Sequence, residues 1–383
     1  MITWFTQEQK AFQETLSRRI IPEKIAPRSD EIEERDQIPA DVLDFIREYG
    51  ILSILVPEEY GGQGGDLTTL CIAVEEFSKA SGALGGLTYA GALGALVLST
   101  GGTEEQKKRF FPKLSKGKVV ALVLTEPDCG TDLAAIRTKA VSSGDEYLIS
   151  GTKIFISNGN VADMFILLAK TNPNDGSRGA SIFLFEKGLP GFSIGKLEKK
   201  MGLHGLPMAE LIFDEMPVPS ENRIGEEGAG FKIMMRLLDK SRVIIGAWAL
   251  GVAQGALEYA INYAKQRTAF GRSIGQFQTV QLLVADMAAR TEATRALVYR
   301  VAAMLDEGAT NIPQYTSMVK YFASDSAMAV TSSAIQVLGG HGYIADHPLE
   351  RMMRDAKALQ LLEGVNQVQR LVVGGALLGM KSY

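Results

Sequence analysis

The chain has 383 residues, of which 46% are hydrophobic and 22% charged, with a formal net charge of −4. That length exceeds one simple core and implies two or three domains, and the composition is ordinary for a globular protein. The mild negative charge provides no basic field for nucleic acid, and two cysteines, Cys71 and Cys129, exclude a disulfide framework.

The start, MITWFTQEQKAFQ, lacks the basic and apolar blocks of a signal peptide, so a cytoplasmic location is expected, or the mitochondrial matrix in a eukaryote. Thr6-Gln7-Glu8-Gln9 has the spacing of a capping box. Phe12, Leu16 and Ile20 follow at helical intervals, and Pro22 is expected to close that helix. PADVLDFIREYG places Val42, Phe45, Ile46 and Tyr49 on one face of a second helix, which starts at Pro39 and stops at Gly50. Residues 56–66, VPEEYGGQGGD, read as a glycine-rich loop, and 69–80 as another helix. The uncharged stretch from Ser81 to Thr103 is long enough to span a membrane, but seven of its positions are glycine and large apolar side chains are few. It reads as a buried helix whose small residues admit a close neighbour, with no integral membrane segment expected.

From about residue 119 the pattern becomes short runs rich in Val, Ile, Leu and Phe, such as VVALVLT, EYLISGTKIFISNGN and DMFILLAKT, separated by turn residues. This predicts an antiparallel β domain ending near Pro219. From Gly230 the chain reads as helical to its end, with Ala-rich stretches apolar nearly all round, as in a bundle that also packs against other subunits. The expected architecture is mostly α with a central β domain: a helical domain over 1–118, a β domain over 119–223 and a helical bundle over 224–383.

Several familiar motifs lack their context. G-x-S-x-G occurs at 191–195, expected in a loop between strands, and at 271–275, after a helix. Neither has the strand–turn–helix setting of a nucleophile elbow. GHGYIA at 340–345 resembles a dinucleotide fingerprint but follows a helical pattern, so it is expected in a loop between helices. No cysteine–histidine spacing suggests a metal site.

Three stretches are informative together: LTEPDCGTD (124–132), QRTAFGRSIGQFQ (266–278), and the series QVLGGHGYI, MRDAK and EGVNQVQR within 336–370. Together they make the chain resemble the acyl-CoA dehydrogenase family of flavoproteins over nearly its whole length. The resemblance implies a homotetramer with one FAD per subunit and removal of an α-proton and a β-hydride from an acyl-CoA thioester. Electrons would pass to an electron-transfer flavoprotein.

Within that resemblance, Glu363 matches the catalytic base and Gly364 its glycine partner. A weakly acidic thioester α-proton requires a desolvated carboxylate, and Leu361 and Leu362 are expected to provide its apolar surround. Gly364 is expected to let the backbone approach a ligand. Where other members carry the base on the preceding long helix, this chain has Ser241. Leu124, Thr125 and Gly130 match contacts to the flavin ring, and Thr131 a position near both flavin and CoA. Phe155 and Ser157 stand where tryptophan and threonine are usual. Arg267 and Phe270 match residues that reach the neighbouring subunit's FAD, Gln278, Gln336 and Gly340 match contacts on the ADP side of FAD, and Gln367 follows as a cofactor-binding candidate in the C-terminal segment. Asp239 and Arg242 match positions at CoA, the bland alternative being a surface ion pair. Tyr89, in the uncharged helix, is expected at the acyl pocket, capping its depth. Leu362 and Val365 depart from the family's tyrosine and threonine, leaving the acyl group open between short, branched and alicyclic. An oxygen-reactive enzyme on the same fold and a non-catalytic acyl-CoA- or flavin-binding protein are the rival readings.

Overall fold

The computed structural model describes residues 5–380. Helix α1 (Gln7–Thr15) opens on the expected capping box: Gln9 N–H donates to Thr6 Oγ1 at 3.2 Å and Thr6 N–H to Gln9 Oε1 at 3.0 Å. Pro22 does not end the element. The chain continues as a π-helix, Leu16–Ile25, with Pro22 inside it. Its wider turns tolerate the missing N–H, while Leu16, Ile20, Ile21 and Ile25 stay buried. Next come α2 (Ser29–Arg35), α3 (Ala40–Glu48), α4 (Leu67–Ala80), α5 (Gly82–Gly101) and α6 (Glu104–Leu114). On α3, Val42 and Ile46 are buried as expected, but Tyr49 is half-exposed and stacks beside Phe45 instead of entering the core.

The β domain comprises β1 (Val120–Val123), β2 (Lys139–Ser143), β3 (Glu146–Ser157), β4 (Met164–Lys170), β5 (Ala180–Glu186), β6 (Phe192–Leu197), β7 (Met208–Pro219) and β8 (Arg223–Ile224). The sheet is mixed, not purely antiparallel. β1 runs parallel to β4, and β2 meets β4 in parallel, while the path β6-β7-β3-β2 is antiparallel. β4 is buried throughout, consistent with its unbroken apolar run. The 191–195 motif lies on edge strand β6, not in a loop.

Helix α7 (Gly230–Gln266) is the axis of the remaining chain. It packs against α4, α5, α8 (Gln278–Asp306) and α9 (Pro313–Leu338). The stretch between α7 and α8 is not all helical: β9 (Thr268–Ala269) and β10 (Arg272–Ser273) form a small hairpin. The chain ends through α10 (Gly340–Tyr343), α11 (Leu349–Leu361) and α12 (Asn366–Leu377). The 340–345 motif therefore begins with a helical turn rather than a loop. Both α5 and α7 are long and apolar enough to cross a membrane, but 89% and 78% of their most apolar windows are buried inside the protein. Their apolarity serves the interior, and α5 has small residues where α7 and other neighbours approach.

Candidate active site

Glu363 stands in the turn between α11 and α12. Helix α11 ends at Leu361, Leu362 is extended, and the chain then takes two left-handed residues, Glu363 (φ 52°) and Gly364 (φ 92°). A left-handed conformation costs a side-chain-bearing residue about 1–2 kcal/mol, so the surroundings must impose it on Glu363. Glycine at 364 also has a reason within the chain: its φ is left-handed, and a Cβ there would overlap Gln369 Nε2. That amide donates to the carbonyls of Glu363 (3.3 Å) and Gly364 (3.1 Å).

The Glu363 residue as a whole is half-buried, yet its carboxyl group is enclosed, and loss of water raises its pKa from the ordinary carboxylate range to about 8. The enclosure is not the one expected from its sequence neighbours. Leu361 is 54% exposed, and only Leu362 packs against the core. The walls come instead from α5 and α7. Tyr89 on α5 donates its hydroxyl to one carboxylate oxygen, and Ser241 on α7 donates to the other. Tyr89 is thus placed on the Glu363 carboxylate itself. Ser241, the position from which an acid would act in other members of the resembling family, meets the same carboxylate. Among the described residues no backbone carbonyl takes the Glu363 N–H, which leaves that donor free to face a ligand oxygen.

Beyond Tyr89, Trp248 closes the space between the helices. Its ring centroid lies 6.4 Å from that of Tyr89, and a Cβ on Gly86 would stand 2.5 Å from its Cη2. The indole therefore packs directly over Gly85 and Gly86 of α5.

The β-domain residues form a second group. Leu124 and Thr125 follow β1, each carbonyl already accepting one bond, from Lys153 Nζ (2.7 Å) and Ile154 N–H (2.9 Å). Gly130 and Thr131 are exposed, and a Cβ at Gly130 would meet nothing within 4 Å. Phe155 falls at a bulge between β3 and β7, adopts φ 57° and is 53% exposed. Bulges re-aim side chains, and this one turns an aromatic face outward beside half-buried Ser157. An open glycine, an exposed hydroxyl and an outward aromatic suit a flat, polar-edged ring. Glu126, in the same stretch, serves the interior instead. Buried, it pairs with Lys153 at 2.9 Å and accepts the N–H groups of Arg137 and Thr138.

Asp239 and Arg242 are not a surface pair. They bond at 2.9 Å with Arg242 8% exposed, its Nε buried and unpartnered. Burial lowers the arginine and raises the aspartate. Arg267, Phe270, Gln278, Gln336, Gly340 and Gln367 are brought to none of these groups within one chain. All are exposed, Phe270 to 95% at the tip of the β9–β10 hairpin.

Sequence reasoning missed Lys320, Asn366 and Gln369, which hold the Glu363 turn from behind. The available signal was a lysine and two amides within otherwise apolar helical patterns.

Family models match in chain order: the acyl-CoA dehydrogenase N-terminal domain over residues 6–118, the middle domain over 121–216 and the C-terminal domain over 228–378. A short-chain-specific acyl-CoA dehydrogenase from Clostridium acetobutylicum is 44% identical, over 97% of this chain and 98% of the relative. The solved butyryl-CoA dehydrogenase of Megasphaera elsdenii is 40% identical with a TM-score of 0.94, over 98% of this chain and 99% of that one. A chain in a structure described as the electron transferring flavoprotein of Acidaminococcus fermentans is 44% identical with a TM-score of 0.95, over 99% of this chain and 100% of that one. With all three domains matched in order and the enclosed Glu363 carboxyl in its left-handed turn, the chain belongs to the acyl-CoA dehydrogenase family.

Proposed function

We propose that this acyl-CoA dehydrogenase acts on a short acyl-CoA thioester, with Glu363 removing the α-proton. The observation that carries this reading is the desolvated Glu363 carboxyl held between the hydroxyls of Tyr89 and Ser241. A base with a pKa of about 8 matches the weak acidity of a thioester α-proton better than an ordinary solvated carboxylate does. The free N–H of Glu363 is suited to the thioester oxygen, where it would steady the charge that develops as the proton leaves.

The family is flavin-dependent, and the residues present fit FAD. Gly130, Thr131, Phe155 and Ser157 would hold the ring, and the exposed Arg267, Phe270 and glutamines would serve the FAD of a neighbouring subunit in a homotetramer. Arginine suits a pyrophosphate because its planar fork meets two oxygens at once. When bound, the flavin supplies the acceptor for the β-hydride. Arg242, with its unpartnered Nε, and Asp239 are the proposed CoA contacts. Electron-transfer flavoprotein is the proposed electron acceptor, supported by the structural likeness to the Acidaminococcus fermentans chain.

A short acyl group follows from the filled space. The substrate α-carbon must come within about 3 Å of the carboxylate, and Trp248 closes α5 against α7 beyond it. The test is a panel of saturated thioesters mixed anaerobically with the flavin-loaded protein while the oxidised flavin band is followed. Butyryl-CoA is expected to bleach it faster than octanoyl-CoA. Bleaching by no thioester overturns the proposed activity, and faster bleaching by octanoyl-CoA overturns the short chain. Rapid recovery of the band in air with product bound would show an oxidase instead.

A further inference from the structure

We propose that Lys320 is a positioning residue for the base, gripping the turn that carries Glu363 and holding it in its left-handed form. This rests on the reading of Glu363 as the base. Lys320 lies on α9 and is fully buried. Burial lowers its pKa from the ordinary lysine value to about 7, and when protonated its ammonium has three donors, all of which go to the segment around Glu363: the carbonyl of Gln360 at 3.2 Å, the carbonyl of Gly364 at 2.8 Å and Asn366 Oδ1 at 2.9 Å. The three acceptors bracket Glu363 on both sides. The first is in the last turn of α11, where carbonyls lack helical partners and a cation is favoured. The other two are the residue after the base and the first residue of α12.

Burying an ammonium is costly, and an apolar side chain would fill the same space more cheaply. A lysine there needs a reason beyond packing, and the turn provides one. A left-handed glutamate does not persist unless its surroundings over-determine it. The grip is itself anchored: Asn366 Nδ2 donates to Ser324 Oγ at 2.9 Å and to Asp325 Oδ1 at 2.7 Å, both on α9, and Gln360 Nε2 donates to the same Asp325 oxygen at 2.6 Å. Gln369 ties the carbonyls of Glu363 and Gly364 from α12. Lys320 makes no bond to the Glu363 carboxylate, and the raised pKa of that group comes from burial alone. The lysine therefore acts through backbone geometry and not through charge on the base.

The test uses the flavin-loaded protein and Lys320→Met, which keeps the side chain's length without its donors. Amide hydrogen exchange over residues 362–366 is expected to rise by about tenfold or more while the core of α7 stays protected. Bleaching of the flavin by the best thioester is expected to slow by about ten- to a hundredfold, since a misplacement near 1 Å has that effect. Product affinity should stay within about threefold, and adding Lys320→Met to Glu363→Gln should slow the reaction no further, because residues acting through one another are not additive. Unchanged exchange in the turn overturns the grip, whatever the protein's substrate is. Looser exchange with an unchanged rate, or full additivity with Glu363→Gln, overturns the positioning role. Failure of the wild type to react with any thioester refutes the functional reading instead, and the exchange result still decides the grip. If Lys320→Met does not fold, Lys320→Gln, which keeps two N–H donors, carries the same measurements with smaller effects expected.

Discussion

Glu363 holds its proton well above the ordinary carboxylate range because the enclosure between α5, α7 and its own turn disfavours the charged form. This has a sign that stability can report. A carboxyl whose folded pKa is raised contributes its full share of stability below its unfolded value and loses it as pH rises through the folded value, about 8. Glutamine in its place never ionises. Glu363→Gln is therefore expected to match the wild type in melting temperature near pH 5 and to exceed it by a few degrees near pH 9. Scanning calorimetry of the two flavin-loaded proteins across that range checks this. A gap that does not widen toward high pH would show a solvated carboxyl. The acid itself was legible in QLLEGVNQVQR, but its environment was not. Leu361 and Leu362 adjoin it in sequence, yet Leu361 faces solvent, and the hydroxyls that touch the carboxylate come from residues 122 and 274 positions away.

In the proposed function, the contact of α5 with α7 sets how much room an acyl group has. From sequence, the seven glycines between Ser81 and Thr103 read as admitting a close neighbour. A small residue can leave space or admit a large neighbour, and sequence does not distinguish the two when the neighbour lies far along the chain. Here Trp248 meets Gly85 and Gly86, while Leu52, Leu114 and Ile233 meet Gly91, Gly94 and Gly101. Trp248→Ala should transfer the indole's volume to the pocket, raising the ratio of octanoyl-CoA to butyryl-CoA turnover by about tenfold or more, since each methylene accommodated is worth roughly 1–3 kcal/mol. The same substitution should lower stability by about 3–5 kcal/mol. An unchanged chain-length preference in a folded variant would remove Trp248 from the pocket. Other elements show where local patterns lose to packing. Pro22 reads as a stop, but four buried neighbours keep the helix going with a wider turn. β2 and β6 escaped notice because both are largely solvent-facing, with Ala140 the one buried residue of β2, so neither carries a strong apolar run. β3, β4, β5 and β7, with longer apolar or alternating patterns, were all evident.

Across the whole molecule the order helices, sheet, helices was readable because the hydrophobic period changes near residues 119 and 230. A single chain leaves its exposed apolar residues unexplained. Phe270, Leu282, Leu371, Leu377, Leu378 and Met380 are all more than 60% exposed, and they lie on the hairpin, α8, α12 and the segment after it. Exposed large apolar groups at that density mark surfaces that meet a partner, and this supports the proposed assembly in which Arg267 and Phe270 serve a neighbour's cofactor. The proposed function draws on three places in the fold: the sheet-borne face around Phe155, the contact of α5 with α7, and the enclosed Glu363 carboxyl. Of these, Glu363 is the proposed base. Glu363→Gln preserves size and most hydrogen bonding but cannot accept the α-proton as a carboxylate does. Mixed anaerobically with the best thioester, the flavin-loaded variant is expected to lose its oxidised flavin band roughly 10²–10⁴-fold more slowly than the wild type, with flavin content and thioester affinity close to normal. A variant that bleaches within a few-fold of the wild-type rate would contradict the account, because Glu363 would then not be the base.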